Sequence, residues 1–258
     1  MTEIRPIREA EAEPFLDLLC GVFGLDIARA RAIFYTEPMF DLNRKWALLE
    51  GSEIVSILTT TPLEFGWGRA YGIAGVATRP ERQGEGHASR LLQRVFIESS
   101  HQGEEAALLF AKNPSLYQKN GFEPIDRVIR TPVLTGGDIK NAGSMEFPCV
   151  KLLYDTWADG HADRLRRDER RWRYWQWHYR LTSPFKDGYI CFEPGVLREA
   201  IFTGGERLLP VPAGTEWFGT TSMADQFGIP VTGSPQIELY LMGLNVSGVP
   251  QMFMTDQF

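Results

Sequence analysis

The sequence predicts an α/β fold of the α+β kind, and three observations carry that prediction. Apolar runs at strand period alternate with segments at helical period. A glycine-rich turn joins one strand directly to one helix, and the pattern dissolves near residue 145 before resuming. Residues 4–7 read as a short strand, followed by helices over 10–23 and 27–35, where Phe15, Leu18, Leu19, Val22 and Phe23 recur at helical spacing. Residues 46–49 and 54–65 are strand-like and joined by the turn Glu50-Gly51-Ser52. A strand over 72–78 leads into the glycine turn and a helix over 84–99, on which Ala88, Leu91, Leu92, Val95 and Phe96 make one apolar face. Residues 106–110 form a buried strand, 114–119 a short helix and 122–133 extended chain.

Residues 134–149, with Thr-Gly-Gly-Asp and Asn-Ala-Gly-Ser, read as a linker, which places one domain at 1–145 and a second at 146–258. In the second, residues 150–182 are helical and the remainder is rich in glycine, proline and strand formers. The apolar stretch 249–253 is expected to dock as a final strand.

A 43% hydrophobic and 23% charged composition is that of a soluble globular protein. No apolar run reaches membrane-spanning length, and the opening residues lack the layout of a secretory signal. Cys20, Cys149 and Cys191 have no paired spacing, and His87, His101, His161 and His178 have no ligand spacing. A reducing, cytoplasmic setting without a metal site is therefore expected. The net charge of −6 disfavours nucleic-acid affinity and mildly favours a cationic small substrate. Residues 164–180 interleave arginines with Trp172, Tyr174, Trp175, Trp177 and Tyr179, a mixture that can signify RNA binding. The helical spacing of Leu165, Trp172, Trp175 and Tyr179, with Asp163, Asp168 and Glu169 offsetting the charge, favours packing against a core.

The glycine turn, Gln83-Gly84-Glu85-Gly86-His87-Ala88, leaves the amides of Gly84 to Ser89 unpaired at the positive end of a helix. Such amides cradle phosphate, and the helix dipole adds about 0.3–2 kcal/mol. Gln83, Gly86 and Ala88 fit a Gln/Arg-x-x-Gly-x-Gly/Ala signature, and Asn113 to Phe122 fits Asn-x-x-x-Tyr-x-x-x-Gly-Phe. With these two motifs in this order, residues 1–133 resemble the GNAT acyl-CoA N-acyltransferases. The second half, on Trp172-Arg173-Tyr174-Trp175 and Met254-Thr255-Asp256-Gln257-Phe258, resembles the Eis-like members of that superfamily. Their second domain is a degenerate GNAT-like unit lacking the phosphate loop.

The resemblance implies a GNAT fold, a mixed central sheet with flanking helices, followed by that degenerate domain. It implies acetyl-CoA as co-substrate, no metal, and transfer of the acetyl group to a primary amine by direct attack. Backbone groups of Val76, Ala77 and Thr78 would follow the pantetheine arm, with the Val76 amide polarising the thioester carbonyl. Gln83, Gly84, Glu85, Gly86, His87, Ala88 and Ser89 would hold the pyrophosphate, and Lys112 and Asn113 would contact the arm. Arg79, Arg82 and Arg90 flank the loop within reach of a 3′-phosphate, while Glu85 is expected to point to solvent. Tyr117 would protonate the departing thiolate. The α-carboxylate of Phe258 is the family's candidate for handling the amine's proton. The acceptor, a small-molecule or peptide amine, would lie between the helices of residues 10–35, the 65–71 region and the second domain. Phe23, Phe34, Tyr35, Phe65 and Trp67 are candidate lining. Aminoglycosides, polyamines, amino acids, peptide termini and lysine side chains stay open as acceptors, as do homo-oligomers. The rival readings are a silent acyl-CoA sensor with the same fold and an RNA-binding protein; neither nucleic acid nor membrane is expected as a partner.

Overall fold

In the computed structural model, which describes residues 2–136, 144–178, 181–203 and 208–258, turn chemistry sets the first elements. After β1 (Thr2–Pro6), helix α1 (Ala12–Phe23) stops at Gly24, whose φ of +64° is left-handed. Helix α2 (Ile27–Phe34) starts at Asp26, whose carboxylate accepts the Arg29 amide at 2.7 Å. The strands β2 (Lys45–Glu50), β3 (Glu53–Phe65) and β4 (Gly68–Thr78) form an antiparallel meander. Helix α3 (His87–His101), β5 (Ala106–Ala111), the short α4 (Ser115–Gln118) and β6 (Glu123–Pro132) complete the first half.

The second half holds α5 (Phe147–Asp159), β7 (Leu165–Arg166), α6 (Glu169–His178), β8 (Leu181–Phe185), β9 (Gly188–Glu193), β10 (Val196–Ile201), β11 (Glu216–Thr220), α7 (Thr221–Phe227) and β12 (Gln236–Leu244). One mixed sheet runs through both halves in the order β1-β2-β3-β4-β5-β12-β6-β11-β10-β9-β8, with β7 beside β3. Among the strands of the described residues, only β4–β5 and β10–β11 are parallel pairs. The halves exchange strands: β12 pairs with β5, Tyr240 opposite Ala111, while β6 pairs with β11, Thr131 opposite Trp217. The first half therefore closes its sheet with a strand made more than a hundred residues later.

Strand alternation sends opposite sets of side chains to the two faces of the first half. Ala47, Leu49 and Ile57 meet Phe15, Leu16 and Phe34 beneath α1 and α2. Trp46, Leu58, Tyr71 and Leu109 meet Leu91, Leu92 and Val95 of α3. The second half has an aromatic core of Tyr154, Trp157, Trp172, Trp175, Tyr189, Trp217, Phe227 and Phe253. Burying each such side chain is worth about 1.5–3 kcal/mol. Trp172 and Trp175 thus pack as their spacing predicts; Tyr179 lies outside the described residues.

Three elements differ from expectation. The helix expected over 84–99 begins at His87, because Gly84 and Gly86 sit at φ +86° and +79° and cannot continue a right-handed turn. The helical stretch expected over 150–182 is cut by β7 and restarts after Asp168, whose carboxylate takes the Arg171 amide at 2.7 Å. Residues 249–253 add only an isolated bridge, Arg164 to Gln251, followed by a 3-10 turn over Met254–Asp256; the strand is β12 instead. The centre of the expected linker, 137–143, lies outside the described residues, and its end is already the start of α5.

Candidate active site

The site begins with a fault in the sheet. Between Ile57 and Thr59 of β3 the register with β4 slips, and Gly75 on the bulged strand takes φ +60°. A Cβ on Gly75 would also stand 2.9 Å from a Leu19 methyl group, so helix α1 packs closely on the bulge. On the other edge of β4, the parallel pairing with β5 runs from Ala70–Ala106 to Ile73–Leu109 and stops there. Residues 74–78, with Val76, Ala77 and Thr78 among them, continue along β3 alone, which leaves their far edge open to an extended ligand.

The loop beyond Thr78 is pinned back to the strand by the Gln83 side-chain amide, which donates to the Thr78 carbonyl at 3.2 Å. Helix α3 has no side-chain cap at Gly86, so the first-turn amides of His87, Ala88 and Ser89 are left for an outside acceptor. A Cβ at Gly84 or Gly86 would meet no atom within 4 Å; these glycines serve the left-handed turn and leave the space above it clear. That open cradle fits a pyrophosphate.

The charged side chains of the loop face one another. Arg82 donates to Glu85 at 2.9–3.1 Å and to Glu50 at 3.0 Å. His87 is buried, with Nε2 2.9 Å from Glu85 and Nδ1 2.5 Å from Arg90, a pairing that the Nε2–H tautomer satisfies. Hydrogen bonds from Arg82 and His87 hold the Glu85 carboxyl down at about 2. Glu85 is exposed, as expected, and is also tied to Arg82 and His87 within the loop, so Arg82 is already engaged. What His87 and Glu85 offer a ligand here is backbone.

Across the gap, Asn113 accepts from the Ser115 amide at 3.1 Å and its hydroxyl at 2.7 Å, which starts α4 and aims Tyr117. Gly121, at φ +85°, turns the chain so that Phe122 buries against Tyr117, ring edge to face at 6.2 Å. Burial raises the Tyr117 phenol above its ordinary pKa, so it stays protonated and able to donate. Lys112, beside Asn113, is exposed. Tyr117 and Val76 border the same cluster as α3, whereas the Phe258 ring packs with Phe110 on the opposite side of the sheet.

That opposite side carries a cavity of about 270 Å³ between α1, α2, β3, β4 and the 257–258 segment, reaching Ala74 and Gly75 of the bulge. Of the five aromatics expected to line it, Phe34 does. Phe23 and Tyr35 face outward, and Phe65 and Trp67 stack on each other at 4.8 Å in a separate cluster. Residues 254–258 are held there by a buried ionic network that spacing alone did not reveal. Arg167 Nε and Nη2 donate to Asp256 at 2.8 and 2.7 Å, and Nη2 also reaches Glu199 at 2.7 Å and Thr255 at 3.0 Å. Glu199 accepts further from Tyr189, Thr255 and Trp175. Burial would raise the Glu199 carboxyl, but Arg167 and these donors overcome it and hold it low. Arg171 donates to the carbonyls of Asp256 and Pro62, and Arg170 to those of Pro38 and Phe40, which fastens α6 across the first half.

A mixed sheet parted at a bulge, with a glycine cradle at a helix start beside the opening, is the architecture of the GNAT class. Residues 3–125 match the family model described as an acetyltransferase (GNAT) domain. No curated protein matches the chain. Its fold is similar to that of a GCN5-related N-acetyltransferase from Kribbella flavida (16% identity, TM-score 0.71), with 94% of this chain and 71% of that one covered. It is likewise similar to a putative acetyltransferase from Pyrococcus horikoshii (13%, TM-score 0.65, 98% and 92% covered). Eis1 from Mycobacterium abscessus shares the fold at 13% identity and TM-score 0.61, with 93% and 73% covered. Among the described residues no helix is long and apolar enough to cross a membrane, and no cluster of His, Cys, Asp and Glu could hold a metal ion.

Proposed function

We propose that the protein is an N-acyltransferase that moves an acetyl group from acetyl-CoA to a primary amine by direct attack. The observation that carries this reading is the parting of β4 and β5 beyond Ile73, with the glycine cradle at its mouth and Tyr117 on α4 across it. Acetyl-CoA supplies the acyl group as a thioester when bound. The amides of Gly84 to Ser89 would bind its pyrophosphate, and the open edge of residues 76–78 would accept the pantetheine amides. The Val76 amide would polarise the thioester carbonyl from that edge. The amine's nitrogen forms the new bond to the acyl carbon as the C–S bond breaks. Tyr117 gives its phenolic proton to the leaving thiolate, the amine's own proton goes to solvent, and the Tyr117 phenolate regains a proton from solvent. The cavity on the far face is the acceptor's side, with the Phe258 ring as one wall.

Tyr117→Phe tests this assignment. We expect kcat, followed as free thiol released from acetyl-CoA, to fall by about 10²-fold, with the calorimetric Kd for acetyl-CoA nearly unchanged. An undiminished kcat would take Tyr117 out of the mechanism. Tight acetyl-CoA binding with no thiol released by any amine would favour the silent sensor.

A further inference from the structure

We propose that the cavity between α1, α2 and the β3–β4 hairpin selects a primary monoamine with a compact apolar body and rejects polycationic amines. This deepens the transfer reading above and rests on it. The wall is made by Phe15, Leu16, Leu19, Leu25, Ile33 and Phe34, and the floor by Thr59, Thr61, Ala74 and Gly75. Leu25 and Ile33 stand 51% and 43% exposed, apolar side chains that an apolar ligand entering here would cover. The volume of about 270 Å³ is of the size that holds a single ring and a short arm.

Charge decides the rest. Among the described lining residues Glu37 has the one side-chain carboxylate, and Lys45 already takes it at 3.3 Å while lying over the Phe34 ring at 5.1 Å. Arg171, the other cation of the lining, spends its Nη groups on the carbonyls of Pro62 and Asp256, at 2.8 and 3.3 Å. A ligand with several ammonium groups would thus bring its second charge against hydrocarbon or beside Lys45, with no spare side-chain carboxylate among the described lining residues to meet it. An amine with one nitrogen has no such difficulty. Its nitrogen is the group consumed at the bulge, and its body replaces water along the apolar wall.

The experiment compares 2-phenylethylamine, spermidine and kanamycin as acceptors by thiol release, with acetyl-CoA binding measured separately by calorimetry. The expected kcat/KM for 2-phenylethylamine exceeds that for either polycation by roughly 10²-fold. Ala30→Trp, which fills the cavity from α2, should raise the amine KM by about tenfold or more and leave the acetyl-CoA Kd unchanged. Ile33→Asp, at an exposed position where folding is not at stake, should pull the 2-phenylethylamine to spermidine ratio toward one. Faster turnover of spermidine or kanamycin in the parent protein, or an unchanged ratio in Ile33→Asp, overturns the selectivity while leaving the transferase standing. If acetyl-CoA binds but no amine releases thiol, the transfer reading fails. Ligand-detected NMR then judges the cavity alone: saturable 2-phenylethylamine binding lost in Ala30→Trp supports the ligand class, and no binding overturns it.

Discussion

Gly72 lies on β4 just ahead of the bulge, and replacing it with alanine moves one wall of the cavity proposed for the acceptor by a distance the structure supplies. A Cβ there would stand 2.4 Å from Phe258 Cγ and Cδ2 and 2.6 Å from Cδ1, whereas ordinary contact begins at 3.4 Å. The ring must therefore retreat by about 1 Å, toward Phe110 at a centroid distance of 5.4 Å. The obstacle is a single side chain and not backbone, so the cost should sit near the low end of the usual 1–3 kcal/mol for overpacking. For a chain of this size about 1–2 kcal/mol lowers Tm by roughly 2–8 °C. A shift of about 1 Å in a group that positions a reacting molecule can cost about 10²-fold in rate. We expect Gly72→Ala to stay folded, to lose kcat/KM for the amine by about that factor, and to keep its Kd for acetyl-CoA, whose cradle lies at the far end of β4. The assays are thiol release at saturating acetyl-CoA with varied amine, circular-dichroism melting, and calorimetric titration of acetyl-CoA. A lowered Tm with amine kinetics within about threefold of the parent would show that the ring moved and that its position did not matter.

Other perturbations probe the cradle, the network and the charge pairs. Gly86→Ala forces a side chain onto φ +79° at a strain of about 1–2 kcal/mol; we expect acetyl-CoA affinity by calorimetry to weaken about tenfold, and an unchanged Kd would remove the loop from cofactor binding. Arg167→Met strands Glu199 and Asp256 in the interior, and urea unfolding should show a loss of about 3–5 kcal/mol; a loss under about 1 kcal/mol would mean that the buried charges relax to water. The Arg5–Glu11 pair, bidentate at 2.7 Å, predicts a pH dependence. Hydrogen bonds from Arg5 bring Glu11 from 4.5 down to about 2, so its contribution is fully present above pH 4.5 and lost as pH falls through about 2. The Tm difference between the parent and Glu11→Gln should therefore shrink across that window, and a difference that does not vary with pH contradicts it.

The first half was legible because its signals are local. Strand period, helix period and glycine position each act over a few residues, and the two motifs around Gly86 and Tyr117 sit where the folded chain needs a left-handed turn and an Asx turn ahead of a short helix. The bulge at Gly75 was not legible, since a glycine in a strand does not say whether its register slips. The hold of Glu50, a residue of β2, on Arg82 was not legible because the two are distant in sequence, whereas the Arg82–Glu85 pair spans only three residues. The arginines of α6 and its flank were read as packing, and Arg167 and Arg171 are indeed buried. Their partners, Glu199, Asp256 and Pro62, come from three distant segments that no local pattern connects. Apolar character placed residues 249–253 inside the fold, but it could not tell a strand from a coil threaded through a core.

The strand exchange between β6 and β12 has a consequence for how the protein is made. While the ribosome is still extending the second half, β5 has its place beside β4 and nothing on its other edge. At roughly 5–20 residues per second the partner strand emerges on the order of ten seconds later. For that interval the nascent chain displays an apolar, unpaired strand, Ala-Ala-Leu-Leu-Phe-Ala, of the sort that recruits other chains. A product interrupted before β12 would be a chaperone client or an aggregate, not a smaller enzyme. The cell receives either the whole fold or nothing useful.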